Sequence, residues 1–235
     1  MTPEQSDILL GDSLEILQTL PENFFDLILA DPPYQISRPN NFKSMGRFGI
    51  SFGGWDVKFD QLTWIDLAAR TLKPGASLVI FNDWKKLGLI AEFLEKLEFN
   101  SIKPLIWHKT NPGPFNSKHV FLQSTEFAVW ATKKKTGKSK TVFNSNYHHG
   151  IFNDEKSVMS IENSIQRSEH PTKKPDKLFG EIINILTNPG GWVLDPFLGS
   201  GTTAIASNQT GRNFIGIEKD PEFHKLAVNS WKKNV

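Results

Sequence analysis

The chain has no cysteine among its 235 residues. That absence removes disulfides, thiolate nucleophiles, cysteine-ligated metals and iron–sulfur clusters together, so any chemistry must run on oxygen and nitrogen groups. Long apolar runs are missing as well. Nothing approaches the roughly 20 residues a membrane span needs, and the start, with Glu4 and Asp7, lacks the basic and apolar stretches of a secretion signal. A cytoplasmic chain without membrane contact is the expectation. Charge of one sign is scarce overall, with 27 Lys and Arg against 25 Asp and Glu. The balance is local, however. Residues 101–180 carry 13 Lys and Arg against 6 Asp and Glu, among them Lys133, Lys134, Lys135, Lys138 and Lys140. Such a segment, with Trp107 nearby, suits a polyanionic partner, because phosphates attract Lys and Arg whatever the sequence. A solvated basic loop is the plain alternative.

A hydrophobic content of 38% and a charged content of 22% are those of a folded domain, and the length suits a single α/β domain spanning residues 1–235. Strand and helix patterns alternate. Strands are expected at 7–11, 25–30, 77–81, 101–108, 126–131, 192–195 and 213–218, with helices from Asp12 or Ser13 and over 62–72, 85–97, 174–186, 202–209 and 222–232. This rhythm predicts a mostly parallel sheet with helices on both faces. Two stretches break it, 35–60 and 111–169, rich in Gly, Pro, Asn, Ser and His. Long irregular segments in compact domains are commonly functional, so both are candidate substrate-contacting loops.

Two motifs carry the chemistry. Asp31-Pro32-Pro33-Tyr34 follows the apolar run 25–30; Asp195-Pro196-Phe197-Leu198-Gly199-Ser200-Gly201-Thr202-Thr203 follows the apolar run 192–194. The later one places backbone donors at a helix start, yet no Lys follows Gly201 as a nucleotide-phosphate loop requires, and the G-x-G-x-x-G pattern is absent. Glu218 ends the next strand, 23 positions after Asp195, near the spacing at which an acid meets ribose hydroxyls in such folds. A nucleoside without a polyphosphate fits, and S-adenosylmethionine is one. In the earlier motif, the Asp31 carboxylate and the Pro32 carbonyl are acceptors that could draw on the hydrogens of an exocyclic amine. The prolines restrict the loop and remove competing donors, and Tyr34 offers an aromatic face to an extruded base. Open α/β sheets bind ligands at the carboxyl ends of their strands. Asp31 and Asp195 are therefore expected to end neighbouring parallel strands.

In these motifs and their order the chain resembles the β-class amino DNA methyltransferases, in which the catalytic motif precedes the cofactor motif. His170-Pro171-Thr172-Lys173-Lys174-Pro175 resembles the segment before the cofactor loop, except that Lys173 stands where the family usually has Gln. The resemblance implies a Rossmann-like fold using S-adenosylmethionine, with 35–60 and 111–169 as target-recognition loops. It implies that Asp31, Pro32, Pro33 and Tyr34 hold the target base. Asp12 would contact the cofactor adenine and Glu218 its ribose. Asp195, Pro196, Phe197, Gly199, Ser200, Gly201 and Thr202 would line the cofactor, with His170, Thr172 and Lys174 near its methionine carboxylate and Asp31 close by. The plainer alternatives are that Asp12 merely caps its helix, that His170 fixes a turn before Pro171 and that Glu218 is an exposed strand end. Phe52 and Trp55 either support the base or cover the site. His148 and His149 read as solvated or phosphate-facing rather than metal-binding, and no metal is expected. An aspartate opening the tetrapeptide resembles adenine-N6 enzymes more than cytosine-N4 ones. The expected partner is DNA; by resemblance alone, so are a second copy of the chain and a restriction endonuclease acting on the same site. An RNA or protein amino methyltransferase and a non-catalytic DNA-binding module are the rival readings.

Overall fold

The computed structural model describes residues 2–34, 59–109, 119, 121, 123–146, 148–153 and 174–234. Eight strands form one sheet: β1 (Asp7–Leu10), β2 (Phe25–Ala30), β3 (Leu72–Asn82), β4 (Asn100–His108), β5 (Thr125–Thr132), β6 (Ile151–Asn153), β7 (Trp192–Asp195) and β8 (Asn213–Glu218). Their order across the sheet is β1-β8-β7-β2-β3-β5-β4-β6. All pairings are parallel except β3 with β5 and β5 with β4. The helices are α1 (Ser13–Thr19), α2 (Thr63–Thr71), α3 (Leu87–Lys96), α4 (Asp176–Leu186), α5 (Thr202–Gln209) and α6 (Pro221–Lys232), with a 3-10 turn at Trp84–Lys86.

Local chemistry sets these boundaries. The Asp12 carboxylate accepts the Leu14 amide at 2.8 Å and starts α1. Asp220 does the same for α6, where Pro221 follows in the first turn. Helix α4 buries Leu178, Phe179, Ile182, Ile183 and Leu186, a spacing that puts one apolar stripe on the sheet. Helix α5 has Ala204, Ile205, Ala206 and Ser207 all buried, because α4, α6 and β8 enclose it.

The core has two layers. Leu27, Leu29, Val79 and Phe81 point into one with Phe179, Ile182 and Ala204. Ile28, Ala30, Leu78 and Ile80 point into the other with Leu17, Trp64, Ile65 and Leu94. Strands β2 and β3 are covered on both faces, which is why they read as nearly continuous apolar runs. In one place the strand pattern misleads. The expected strand is 77–81, yet β3 begins at Leu72 and takes in Pro74-Gly75, where pairing with β2 jumps from Leu72 to Ser77. Gly75 takes a φ of +83°, and a Cβ there would lie 2.9 Å from the Lys140 carbonyl oxygen, so the irregularity needs glycine.

Candidate active site

Strands β2 and β7 pair in parallel, Leu27 opposite Val193 and Ile28 opposite Leu194. Asp31, one residue past β2, and Asp195, the last of β7, therefore share one edge of the sheet. Glu218 ends β8 on the far side of β7 and Asp12 follows β1 beyond it, with the Gly11 amide donating to the Glu218 carbonyl. Acids thus stand at the carboxyl ends of adjacent strands across about 14 Å, at roughly 4.8 Å per strand.

The tetrapeptide is tied down from both sides. Gln61 Nε2 donates to the Pro33 carbonyl at 2.6 Å and is itself held by Asn82, whose Nδ2 donates to Gln61 Oε1 at 2.7 Å. Lys86 Nζ donates to the Tyr34 carbonyl at 2.9 Å. Among the described residues, no donor meets the Pro32 carbonyl, which leaves that acceptor open between two anchored neighbours. The Tyr34 hydroxyl donates to Asp31 Oδ1 at 2.5 Å. Burial and the adjacent carboxylate hold the phenol well above its ordinary pKa, so it stays a donor.

Lys174 occupies the other Asp31 oxygen, its Nζ 2.7 Å from Oδ2, and lies 3.2 Å from Glu126 Oε2. Its side chain is 6% exposed. Burial opposes the ammonium, but Asp31 and Glu126 outweigh it and raise the pKa. Glu126 in turn pairs with Lys109. Burial disfavours its carboxylate, yet Lys174 and Lys109 pull the pKa below the usual value.

In the later loop Asp195 is 2% exposed. Its Oδ1 accepts the Phe197 amide at 2.9 Å, and the Thr203 hydroxyl donates to Oδ2. Burial pushes its pKa up to about 7, with Asp31 and Glu218 adding to the shift and the two hydrogen bonds opposing it. The Phe197 ring meets Phe59 and Trp64 edge-on, at centroid distances of 5.3 and 5.0 Å. Glu218 receives the Gly199 amide at 2.8 Å and the Asp220 amide at 2.7 Å, while burial raises its pKa. Gly201 caps α5 at a φ of +94°, and a Cβ there would lie 3.1 Å from Ala227 Cα. A Cβ on Gly216 would come within 2.6 Å of Leu198. The Pro196 carbonyl accepts the Ser13 hydroxyl, Ser200 is buried, and the Thr202 hydroxyl donates to the Lys174 carbonyl.

The candidate residues from Asp31 to Tyr34 and from Asp195 to Thr202 thus meet Glu218 at one edge. Asp12 stands beside them but already caps α1 and pairs with Lys219 at 2.7 Å, a hydrogen bond that lowers its pKa. Lys174, expected near a cofactor carboxylate, lies between Asp31 and Glu126. His170, Thr172, Lys173, Phe52 and Trp55 lie outside the described residues.

Strand β5, expected at 126–131, and the short β6 lie within the stretch 111–169. The lysine run, expected to suit a polyanion or to be a solvated loop, lies at the edge opposite the site. Strand β5 runs antiparallel to β3, with Thr132 opposite Ser77, so Lys133 begins the run at the amino edge, where its amide donates to the Ala76 carbonyl. Lys133 Nζ donates to the Leu72 carbonyl at 2.7 Å and Lys134 pairs with Glu98. The eight residues of β5 separate this run from the site by about 23 Å. His148 accepts the Gly150 amide and packs against Phe152 rather than facing solvent, while His149 is exposed. Among the described residues, no group of three or more metal-binding side chains occurs, and no helix is long and apolar enough to cross a membrane.

Sequence reasoning missed Glu126, Gln61, Asn82 and Lys86. Glu126 left a trace, as the one acid in the otherwise apolar run 126–131. The other three act through reach, which spacing does not encode. Tyr34, Phe59, Lys109, Asn153 and Lys174, which border stretches outside the described residues, stand at the carboxyl edge of the sheet. Tyr34 belongs to the site and Phe59 packs on Phe197. Lys109 pairs with Glu126, Asn153 ends β6 opposite His108, and Lys174 binds Asp31.

The family model described as DNA methylase, covering N6 and N4 enzymes, matches residues 25–229. The type II methyltransferase M2.LlaDCHI of Lactococcus lactis subsp. cremoris is 32% identical, over 98% of this chain and 90% of that protein. M2.DpnII of Streptococcus pneumoniae is 32% identical, over 92% and 86%. The crystal structure of the M1.HpyAVI–SAM complex superposes with a TM-score of 0.71 at 35% identity, covering 97% of this chain and 98% of that one. The cytosine-N4-specific PvuII DNA methyltransferase, at 21% identity and a TM-score of 0.71, shares the fold.

Proposed function

Because the chain belongs to the N6/N4 DNA methylase family, we propose that it methylates the N6 amine of adenine at a specific DNA sequence, as the modification enzyme of a restriction system. It is a DNA methyltransferase, and its cofactor is S-adenosylmethionine. The residues present fit that group. Asp12, Asp195 and Glu218 can accept hydroxyl and amine hydrogens, Phe197 offers a ring, and the Gly199–Gly201 turn opens α5. A polyphosphate would instead meet Asp31, Asp195 and Glu218 as like charges.

One observation carries the reading. The Asp31 carboxylate and the open Pro32 carbonyl sit beside the Asp195 loop, at the ends of adjacent strands. When bound, S-adenosylmethionine supplies an electrophilic methyl group on a positively charged sulfur. The chain's own residues prepare the amine. Its lone pair is delocalised into the ring, and acceptors on its hydrogens favour a tetrahedral nitrogen whose pair can attack. Asp31 and the Pro32 carbonyl are those acceptors, and the Tyr34 ring supports the extruded base. The amine's pair would take the methyl group that the cofactor supplies when bound, and the amine would then give up a proton, first to Asp31 and from there to water. The missing thiol argues against cytosine C5 methylation, which begins by covalent addition to the ring.

Asp31 at the head of the tetrapeptide supports adenine over cytosine N4. The described flanks at the carboxyl edge support 35–60, together with the parts of 111–169 before β5 and after β6, as recognition segments. Incubation of unmethylated DNA with labelled S-adenosylmethionine, followed by nucleoside separation, tests the base. N6-methyladenine is expected, and recovery of N4-methylcytosine alone would overturn the assignment.

A further inference from the structure

Two lysines and two carboxylates link the β4–β5 pair to the tetrapeptide, from Lys109 through Glu126 and Lys174 to Asp31. No step above uses Glu126. It lies near the start of β5 opposite Trp107 of β4, with its side chain 23% exposed. A largely buried carboxylate there costs desolvation unless it is paired, and each of its oxygens meets a lysine.

We propose that Glu126 is a positioning residue for methyl transfer, acting through Lys174 to fix the Asp31 carboxylate. The proposal rests on Asp31 being an acceptor for the target amine. An ammonium carries three protons. Those of Lys174 face Asp31 Oδ2 at 2.7 Å, Glu126 Oε2 at 3.2 Å and Tyr34 Oη at 3.3 Å. With Asp31 as its single counter-ion, the ammonium could pivot about the carboxylate and take Tyr34 with it. Glu126 sits on a strand and is gripped by Lys109, so it supplies a second fixed point. One geometry then satisfies all three protons. A carboxylate offers about four lone-pair sites; Tyr34 and Lys174 occupy two directions, and the remainder keep a constant aim for the amine. The same cation offsets the charge of Asp31, which across the adjacent strand end helps to keep a proton on Asp195.

Glu126→Gln keeps the shape and removes the charge. Its kcat is expected to fall about ten- to a hundredfold, the scale of a small misplacement of a reacting group, with the KM for S-adenosylmethionine and for DNA within about twofold of the parent. The combined variant Lys174→Met/Glu126→Gln removes both charges of the inner pair, so that the most buried ion, Lys174, is not left short of a counter-charge and only the more exposed Lys109 and Asp31 lose a partner; it answers even where Glu126→Gln folds poorly. Its kcat is expected to equal that of Lys174→Met alone. A Glu126→Gln enzyme as fast as the parent while Asp31→Ala is inactive overturns the positioning role and leaves the proposed function standing. Independent effects that multiply in the combined variant overturn it too. Parental activity in Asp31→Ala overturns the reading on which it rests.

Discussion

Asp195 makes stability depend on pH in the direction opposite to an ordinary surface carboxylate. Its pKa is about 7 in the folded chain against 3.8 for the free group, chiefly through burial. Between those values the folded state holds a proton that the unfolded state has lost. The contribution is therefore fully present below pH 3.8 and disappears as pH rises through 7. At 1.36 kcal/mol per unit, raising pH from 5 to 8 removes about 2.5 kcal/mol, or roughly 5–10 °C in Tm for a domain of this size. Asp195→Asn removes the titration with little change of shape. Its Oδ1 can still accept the Phe197 amide, and the Thr203 hydroxyl can turn to accept from the new amide. Urea unfolding from pH 5 to 8 should then show the parent losing about 2.5 kcal/mol more than the variant across the range. Parallel profiles for the two proteins would refute the reasoning.

Gly201→Ala places a Cβ against the Ala227 backbone at a φ of +94°. It should cost about 1–2 kcal/mol of stability and weaken S-adenosylmethionine binding about tenfold by calorimetry, because the strain falls on the loop that opens α5. Changing Lys134, Lys135, Lys138 and Lys140 together to Gln should leave the KM for DNA within about twofold and the salt slope of DNA binding within about one unit, since the run starts at the opposite edge of the sheet. A slope lower by several units would place DNA on that edge after all.

Much of the fold was legible because buried parallel strands announce themselves. Phe25–Ala30 and Trp192–Asp195 are apolar runs bounded by turn residues, and each is followed by chemistry. The direction of β5 was not legible. An isolated apolar run does not say which way it runs, and the stretch between β4 and β5 carries no helix pattern that would bring the chain back for a parallel pairing. That one unknown left the lysine run without a place, since reversing the strand moves its far end from one edge of the sheet to the other. Lys174 illustrates a second limit. Its motif points to a cofactor, but nothing in that motif names the partners of its ammonium, Asp31 and Glu126, which lie 143 and 48 positions away in sequence. Gln61 and Lys86 escaped notice for the same reason, being long side chains that reach carbonyls of a loop remote in sequence.

The most direct measurement is single-turnover transfer of labelled methyl from S-adenosylmethionine to unmethylated DNA, by the parent and by Asp31→Ala. The parent is expected to label adenine N6, and Asp31→Ala to lose about a thousandfold or more in rate while remaining folded. Labelling by Asp31→Ala at the parental rate, or no labelling of DNA by the intact parent, would contradict the assignment of the paired strand ends as one methyl-transfer site.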